Sequence, residues 1–322
     1  MSLASLRDTL EMRQVPIYFV AMATAGVLAW LWNGTTRLTS AIDPLLAFML
    51  FVTFLQVPLT ELRRALSNLR FLAALLIANF VAVPLLVALF LPWLPNDPLL
   101  RIGMLLVLLT PCIDYVVTFA HLGKADAKSL LASTPLLLAL QMVLLPIYLG
   151  LFLGEAAEGL VQLGPFLHAF LWLIALPLSL AALFQAWAAR MRIGARLVER
   201  LGVLPVPATA AVLFVVIAAV APQLGPALDA VVQAAPLYVV YAVAAPLLGW
   251  LVARAAKLSA DQGRAIAFST STRNSLVVLP LGLAIPGALP LIPAVIVTQT
   301  MIELVSELVY IKALPRLGKN IS

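Results

Sequence analysis

The chain alternates apolar blocks of roughly 20 residues with short charged connectors, a period set by the thickness of a lipid bilayer and not by the core of a soluble globule. Ten such blocks can be read: Val15 to Trp32, Ile42 to Leu59, Phe71 to Leu94, Ile102 to Leu122, Ser129 to Leu153, Leu167 to Ala188, Val206 to Ala221, Leu237 to Ala255, Ala265 to Ile285 and Leu291 to Leu314. Each is too long, and too uniformly apolar, for the short alternating strands of a membrane barrel. The pattern therefore predicts an all-α membrane protein with ten transmembrane helices. The seventh block is the shortest and needs its neighbours to cover its ends.

Two blocks are interrupted. The fourth contains Thr110-Pro111-Cys112-Ile113-Asp114-Tyr115. A charged side chain at bilayer depth costs at least a few kcal/mol, and proline removes a helical hydrogen bond. The ninth contains seven consecutive polar residues, Ser269 to Ser275, followed by Val277-Val278-Leu279-Pro280. Neither stretch suits a helix that faces lipid, so both are expected to be broken helices that line a cavity or pack inside protein.

The two interruptions stand at a common offset. Ala82-Val83-Pro84-Leu85-Leu86 matches Ala244-Ala245-Pro246-Leu247-Leu248 at a spacing of 162 positions, and the same spacing carries Cys112 to Asn274 and Gln141 to Glu303. Five helices per unit make the second unit inverted. The expected organisation is thus one repeat over 1–157 and its inverted partner over 158–322. Interrupted spans at matching positions of two halves point to a transporter site near the membrane midplane.

Composition narrows the class. Hydrophobic residues make up 63% of the 322 and charged residues 11%, with a mean hydropathy of +1.08, far too little polar surface for a soluble domain of this size. Residues Met1 to Gln14 carry both charge signs and no apolar core, so no removable signal peptide is expected. One cysteine allows no internal disulfide. The net charge of +6 is a topology signal and not a nucleic-acid footprint, because the basic residues sit between spans. With the N-terminus inside, 17 of the 20 Lys and Arg residues fall on the cytoplasmic side, Arg37 and Arg101 fall outside, and Arg273 alone lies within a span. Both termini are expected to be cytoplasmic.

Candidate chemistry concentrates at the breaks. If the broken helices cross, Asp114 and Arg273 can meet as a midplane pair, either a permanent salt bridge or a switch in which Asp114 accepts the proton. Glu303 and Glu307 lie one turn apart on the tenth block, with Gln299 a turn earlier. Glu303 is the expected proton carrier, and Glu307 is expected nearer the interface, pairing with Arg273 or loop cations. Ser129, Ser133, Thr134 and Gln141 on the fifth block more often bond their own helix than a solute. His121 ends its span at the interface. Cys112 reads either as a small buried hydrophobe or as a soft ligand for a thiophilic metalloid. No nucleophile elbow, metal-spaced histidine pair, phosphate loop or cofactor motif is present, so neither an enzyme nor a cofactor is expected.

Pro111-Cys112 followed by His121-Leu122-Gly123-Lys124-Ala125-Asp126 resembles the fourth-helix signature of the arsenical-resistance branch of the bile acid:sodium symporter superfamily, and Arg273-Asn274-Ser275 is similar to that superfamily's ninth-helix motif. The resemblance implies a panel domain of helices 1, 2, 6 and 7. The core domain it implies holds helices 3–5 and 8–10, with discontinuous helices 4 and 9 crossing at their breaks. It also assigns positions. Cys112 matches the cysteine the arsenite branch needs, whereas that branch's ninth-helix glutamate falls at Val277. The sodium ligands of the other branch fall on Ser269 and Arg273, its third-helix glutamine on Asn79, and its Ser-Asn pair on Asp114-Tyr115. A fixed guanidinium in a cation site argues against ordinary sodium coupling. The implied function is a secondary transporter of the cell (inner) membrane exporting arsenite or a related trivalent metalloid against protons. The alternative is a sodium-independent carrier of a small organic anion. The expected partners are that solute, a coupling proton and the bilayer, without nucleic acid. The expected site is Asn79, Cys112, Asp114, Tyr115, Ser269, Arg273, Asn274 and Glu303, supported by Ser133, Gln141, Gln299 and Glu307.

Overall fold

The computed structural model describes residues 3–56, 68–113, 115–154, 168 and 170–318. Among these, every regular element is a helix. An amphipathic α1 (Leu3–Met12) leads into α2 (Gln14–Leu31), followed by α3 (Thr39–Phe54). Next come α4 (Leu69–Ile77) and α5 (Val83–Phe90), joined without a break by a π-helical turn at Ala78–Ala82. Two short helices, α6 (Pro98–Leu108) and α7 (Tyr115–Leu122), precede the long α8 (Ala127–Leu153). The chain continues with α9 (Leu176–Ala188), α10 (Arg192–Leu201), α11 (Pro205–Val220), α12 (Leu224–Ala255), the short pair α13 (Ala260–Ser271) and α14 (Ser275–Leu283), and α15 (Leu291–Ala313).

Among the described residues seven helices are long and apolar enough to cross a membrane, and an eighth is reached if α10 and α11, bent by 43°, form one span. The two remaining apolar blocks are each split, α6/α7 and α13/α14, as the proline and the polar run predicted. Helix α12 starts 13 residues before the apolar block does, because Pro226, Asp229, Gln233 and Pro236 mask its first three turns in a hydropathy reading. Large apolar side chains such as Trp30, Leu89, Leu151 and Val232 are exposed on the outer faces of the spans, the surface expected where lipid replaces water.

Proline shapes the spans, and tyrosine repairs them. Pro84 has no N–H, so the carbonyl of Phe80, four residues back, is left without its helical donor. The Tyr148 hydroxyl donates to it at 2.5 Å. Pro246 frees the carbonyl of Ala242 in the same way, and Tyr310 donates to that one. Every member of the second set stands 162 positions after its counterpart in the first. A bare carbonyl in hydrocarbon is costly, which accounts for a buried hydroxyl at both places.

Two packed groups result. Helix α11 packs on α2 and α3, and α9 packs on α3. Helix α12 packs on α13 and α15, while α15 packs on α6 and α14. Contact between α12 and α13 requires glycine, since a Cβ at Gly249 would stand 2.2 Å from Thr270 Oγ1 and 2.9 Å from the Ile266 carbonyl.

Candidate functional site at the crossing of two broken helices

The broken helices meet backbone to backbone. Pro111 and Arg273 form an isolated antiparallel bridge. Cys112 N donates to the Thr272 carbonyl at 3.0 Å, and Asn274 N donates to the Thr110 carbonyl at 2.9 Å. The two bonds interchange under the 162-residue offset, which carries Thr110 to Thr272 and Cys112 to Asn274. Backbone groups that a broken helix leaves unsatisfied are thus satisfied by the opposite break.

Arg273 lies fully buried at this junction. Its Nη2 donates to the carbonyls of Ser269 at 2.6 Å and Thr270 at 2.7 Å, and to Asn79 Oδ1 at 3.0 Å. Nη1 donates to the Leu108 carbonyl at 3.4 Å. Ser269 and Thr270 close α13, and Leu108 closes α6, so the guanidinium sits on the negative ends of two half-helices. The π-turn at Ala78–Ala82 presents Asn79, whose Nδ2 also donates to Ser269 Oγ at 2.9 Å. The guanidinium carbon stands 5.8 Å from the centre of the Tyr241 ring, within reach of a cation–π attraction. Among the described residues the ion pair within 4 Å is Arg7–Glu11. Arg273 therefore does not aim at Glu303 or Glu307, and Asp114 lies outside the described residues.

Glu303 instead binds the backbone of the break. Its Oε2 accepts from Arg273 N at 2.6 Å and from Gln299 Nε2 at 2.6 Å, while Oε1 accepts from the Tyr115 hydroxyl at 2.5 Å. Gln299 in turn accepts from the Ser275 hydroxyl at the start of α14. The expectation that Glu307 pairs with Arg273 or loop cations near the interface is corrected. It is fully buried, its Oε1 accepts from Thr272 Oγ1 at 2.5 Å, and its Oε2 has no partner.

The polar run is less open than its composition suggests. The hydroxyls of Thr270 and Ser271 each donate to carbonyls one turn back in α13, and Ser133 does the same in α8. Cys112 is buried, and no described cavity is lined by it. Gln141 is buried with both amide atoms unpartnered. It stands where Glu303 stands in the second half, and the counterpart of Arg273 is Pro111, which has no N–H to offer. The His121-to-Asp126 segment is a packing joint. A Cβ at Gly123 would stand 2.3 Å from the Phe268 ring, Lys124 takes φ 55°, and Asp126 accepts from Ser129 N at 3.1 Å to cap α8.

Sequence reasoning missed the approach to this junction. On the face carrying α1, adjoining cavities of about 40 and 110 Å³ share Arg7, Glu11, Thr53, Gln56 and Thr118, and Tyr115 lines the first of them. Gln14 lines it too, buried with an unpartnered Nε2. Tyr115 therefore joins the cavity to Glu303. The signal lay in Gln14 and Gln56, polar residues at the edges of apolar blocks. The cavity's charges, Arg7 and Glu11, are paired at 2.6 Å, so its lining is polar and close to neutral.

No curated protein matches the chain. The model described as the Sodium Bile acid symporter family matches residues 43–225, more than half of the chain and including the first break. A multi-pass helical protein with a buried ionisable junction and a polar cavity leading to it is what a membrane solute carrier requires, and the chain belongs to the sodium bile acid symporter family.

Proposed function

We propose that this protein is a sodium-independent, proton-coupled secondary transporter that exports a small, neutral, hydroxylated solute, with trivalent metalloid oxyacids such as arsenite as the leading class. Membership of the family makes it a membrane solute transporter of the bile acid symporter type. The finer reading rests on one observation: the Arg273 guanidinium occupies the carbonyl ends of α6 and α13, where a mobile cation would otherwise be drawn. A permanent cation there repels sodium. Two buried carboxyl groups, Glu303 and Glu307, share the segment with that single fixed charge, and neutrality at bilayer depth leaves a proton on one of them. Tyr115 gives such a proton a route between the cavity and Glu303.

In this reading the chain has ten spans in two inverted repeats, over 1–157 and 158–322, and the paired tyrosine bonds support it. The panel is built from α2, α3, α9 and α11 and rocks against a core of the other spans. N- and C-termini face the cytoplasm of the cell membrane. The near-neutral cavity favours an uncharged oxyacid, and Cys112 at the crossing offers sulfur to a thiophilic centre once rocking exposes it. The organic-anion alternative loses its main support, because the Arg273 terminal nitrogens are already taken by carbonyls and Asn79. The test is arsenite accumulation in everted membrane vesicles energised by a proton gradient without sodium, with Cys112→Ser alongside. Uptake that Cys112→Ser abolishes supports the reading. Uptake of a small carboxylate, indifferent to Cys112→Ser, replaces it with the anion carrier.

A further inference from the structure

Among the described residues, α10 is the helix whose charged and apolar faces are most sharply separated. It is the surface segment between α9 and α11, held flush by Gly194, where a Cβ would stand 2.9 Å from the Trp187 ring and 3.0 Å from Ala188. Its residues sort into three faces by helical spacing. Arg192, Arg196 and Arg200 form one row at intervals of four, and all are exposed. The adjacent row is apolar yet also exposed, Ile193 at 66% and Leu197 at 36%, with Met191 at 52% just before the helix. The third face, Gly194, Val198 and Leu201, turns toward the protein. Among the described residues none of these arginines, nor Arg190, has a carboxylate within ion-pair distance, although Glu199 shares the helix.

Exposed apolar side chains beside unpaired arginines suit neither water nor hydrocarbon alone. They suit the headgroup layer, where aliphatic groups dip into the acyl boundary and guanidinium groups meet phosphate. The depth is fixed by topology, because α10 connects two apolar helices and continues into α11 through a bend of 43°. We propose that α10 docks anionic phospholipid headgroups through Arg192, Arg196 and Arg200, and thereby ties α11, and the α2 and α3 helices packed on it, to the membrane surface. The partner is a lipid phosphate and not free phosphate, because Ile193 and Leu197 lie alongside the arginine row and have no use for a soluble ion.

Reconstitution of the full chain tests this. The wild type is placed in vesicles of zwitterionic lipid with and without a fifth anionic lipid (roughly the proportion that gives a cytoplasmic leaflet its surface potential), and retained lipids are counted by native mass spectrometry. The expected result is selective retention of anionic lipid. It falls about 100-fold in the R192Q/R196Q/R200Q variant, taking about 1 kcal/mol for each basic residue at the surface. R192K/R196K/R200K retains most of it, and R254Q/K257Q, altered elsewhere on the basic face, binds as the wild type does. Inorganic phosphate at millimolar concentration does not compete. Retention by the triple glutamine variant, equal loss in R254Q/K257Q, or displacement by phosphate overturns the proposal. A wild-type melting temperature in zwitterionic lipid shows that the triple variant is folded, and a lowered one sends the test to the single substitutions.

Discussion

Replacing Arg273 with glutamine tests whether the guanidinium stands in for a bound cation. The substitution removes three short hydrogen bonds of 2.6, 2.7 and 3.0 Å to Ser269, Thr270 and Asn79 and the longer one of 3.4 Å to Leu108, and leaves the carbonyl ends of α6 and α13 facing each other without a positive group. A hydrogen bond from a charged donor contributes about 1.5 to 3 kcal/mol net, and a buried acceptor left bare costs a similar amount. The glutamine amide recovers one of the three, so Arg273→Gln should lose about 3 to 6 kcal/mol, a fall in melting temperature on the order of 10 °C. The vacated volume is ringed by carbonyl oxygens, the ligand set a hard monovalent cation prefers. Sodium at ten times its Kd would then return about 1.4 kcal/mol. The assay is thermal unfolding in detergent at fixed ionic strength, sodium chloride against choline chloride. The wild type should melt alike in both salts, and Arg273→Gln should melt several degrees higher in sodium. A variant that melts with the wild type, or gains nothing from sodium, refutes the reasoning.

Four further outcomes are expected. Tyr115→Phe keeps the fold but cuts the bond to Glu303, so proton-driven flux should fall at least about tenfold while melting changes by no more than the ~1 to 3 kcal/mol of one buried polar group, measured by vesicle uptake beside thermal unfolding. Tyr148→Phe and Tyr310→Phe should each cost about 1 to 2 kcal/mol, and the double variant should cost their sum, since the two bonds lie in separate halves; melting of the three variants reads this. Gly249→Val should sharply lower the yield of folded protein in size-exclusion profiles, because its Cβ meets backbone as well as Thr270 Oγ1 and overpacking of a rigid crossing costs about 1 to 3 kcal/mol or more. Glu307→Gln should be tolerated in melting better than Arg273→Gln, since one carboxyl oxygen already lacks a partner and an amide oxygen can still accept from Thr272.

The sequence was most legible where membrane physics leaves few choices. Uniform apolar blocks marked the seven or eight helices that, among the described residues, are long enough to cross a membrane, and Pro111 with Asp114 and the run Ser269 to Ser275 marked the two breaks, because nothing else explains such residues at bilayer depth. The 162-residue offset was visible as one short motif and became physical in the tyrosine bonds to Phe80 and Ala242. What could not be read was direction. A guanidinium can satisfy carboxylates or carbonyls equally well, and only the folded chain brings the ends of α6 and α13 close enough to take Arg273 away from the acids. The start of α12 was hidden because Pro236 looks like a breaker in isolation yet is carried inside one long helix. The cavity was hidden because Arg7, Gln14, Gln56 and Thr209 are scattered over three helices and the turn after α3 and share no motif.

The central claim is that a tethered arginine replaces the coupling cation and leaves the transported charge to protons. Purified protein in sealed proteoliposomes loaded with a pH-sensitive dye tests it most directly, with arsenite added outside and sodium either present or replaced by choline. The account predicts proton movement that begins on adding solute, is the same in both salts and is lost in Glu303→Gln. Solute flux that requires sodium, or that proceeds unchanged in Glu303→Gln without moving protons, would contradict it.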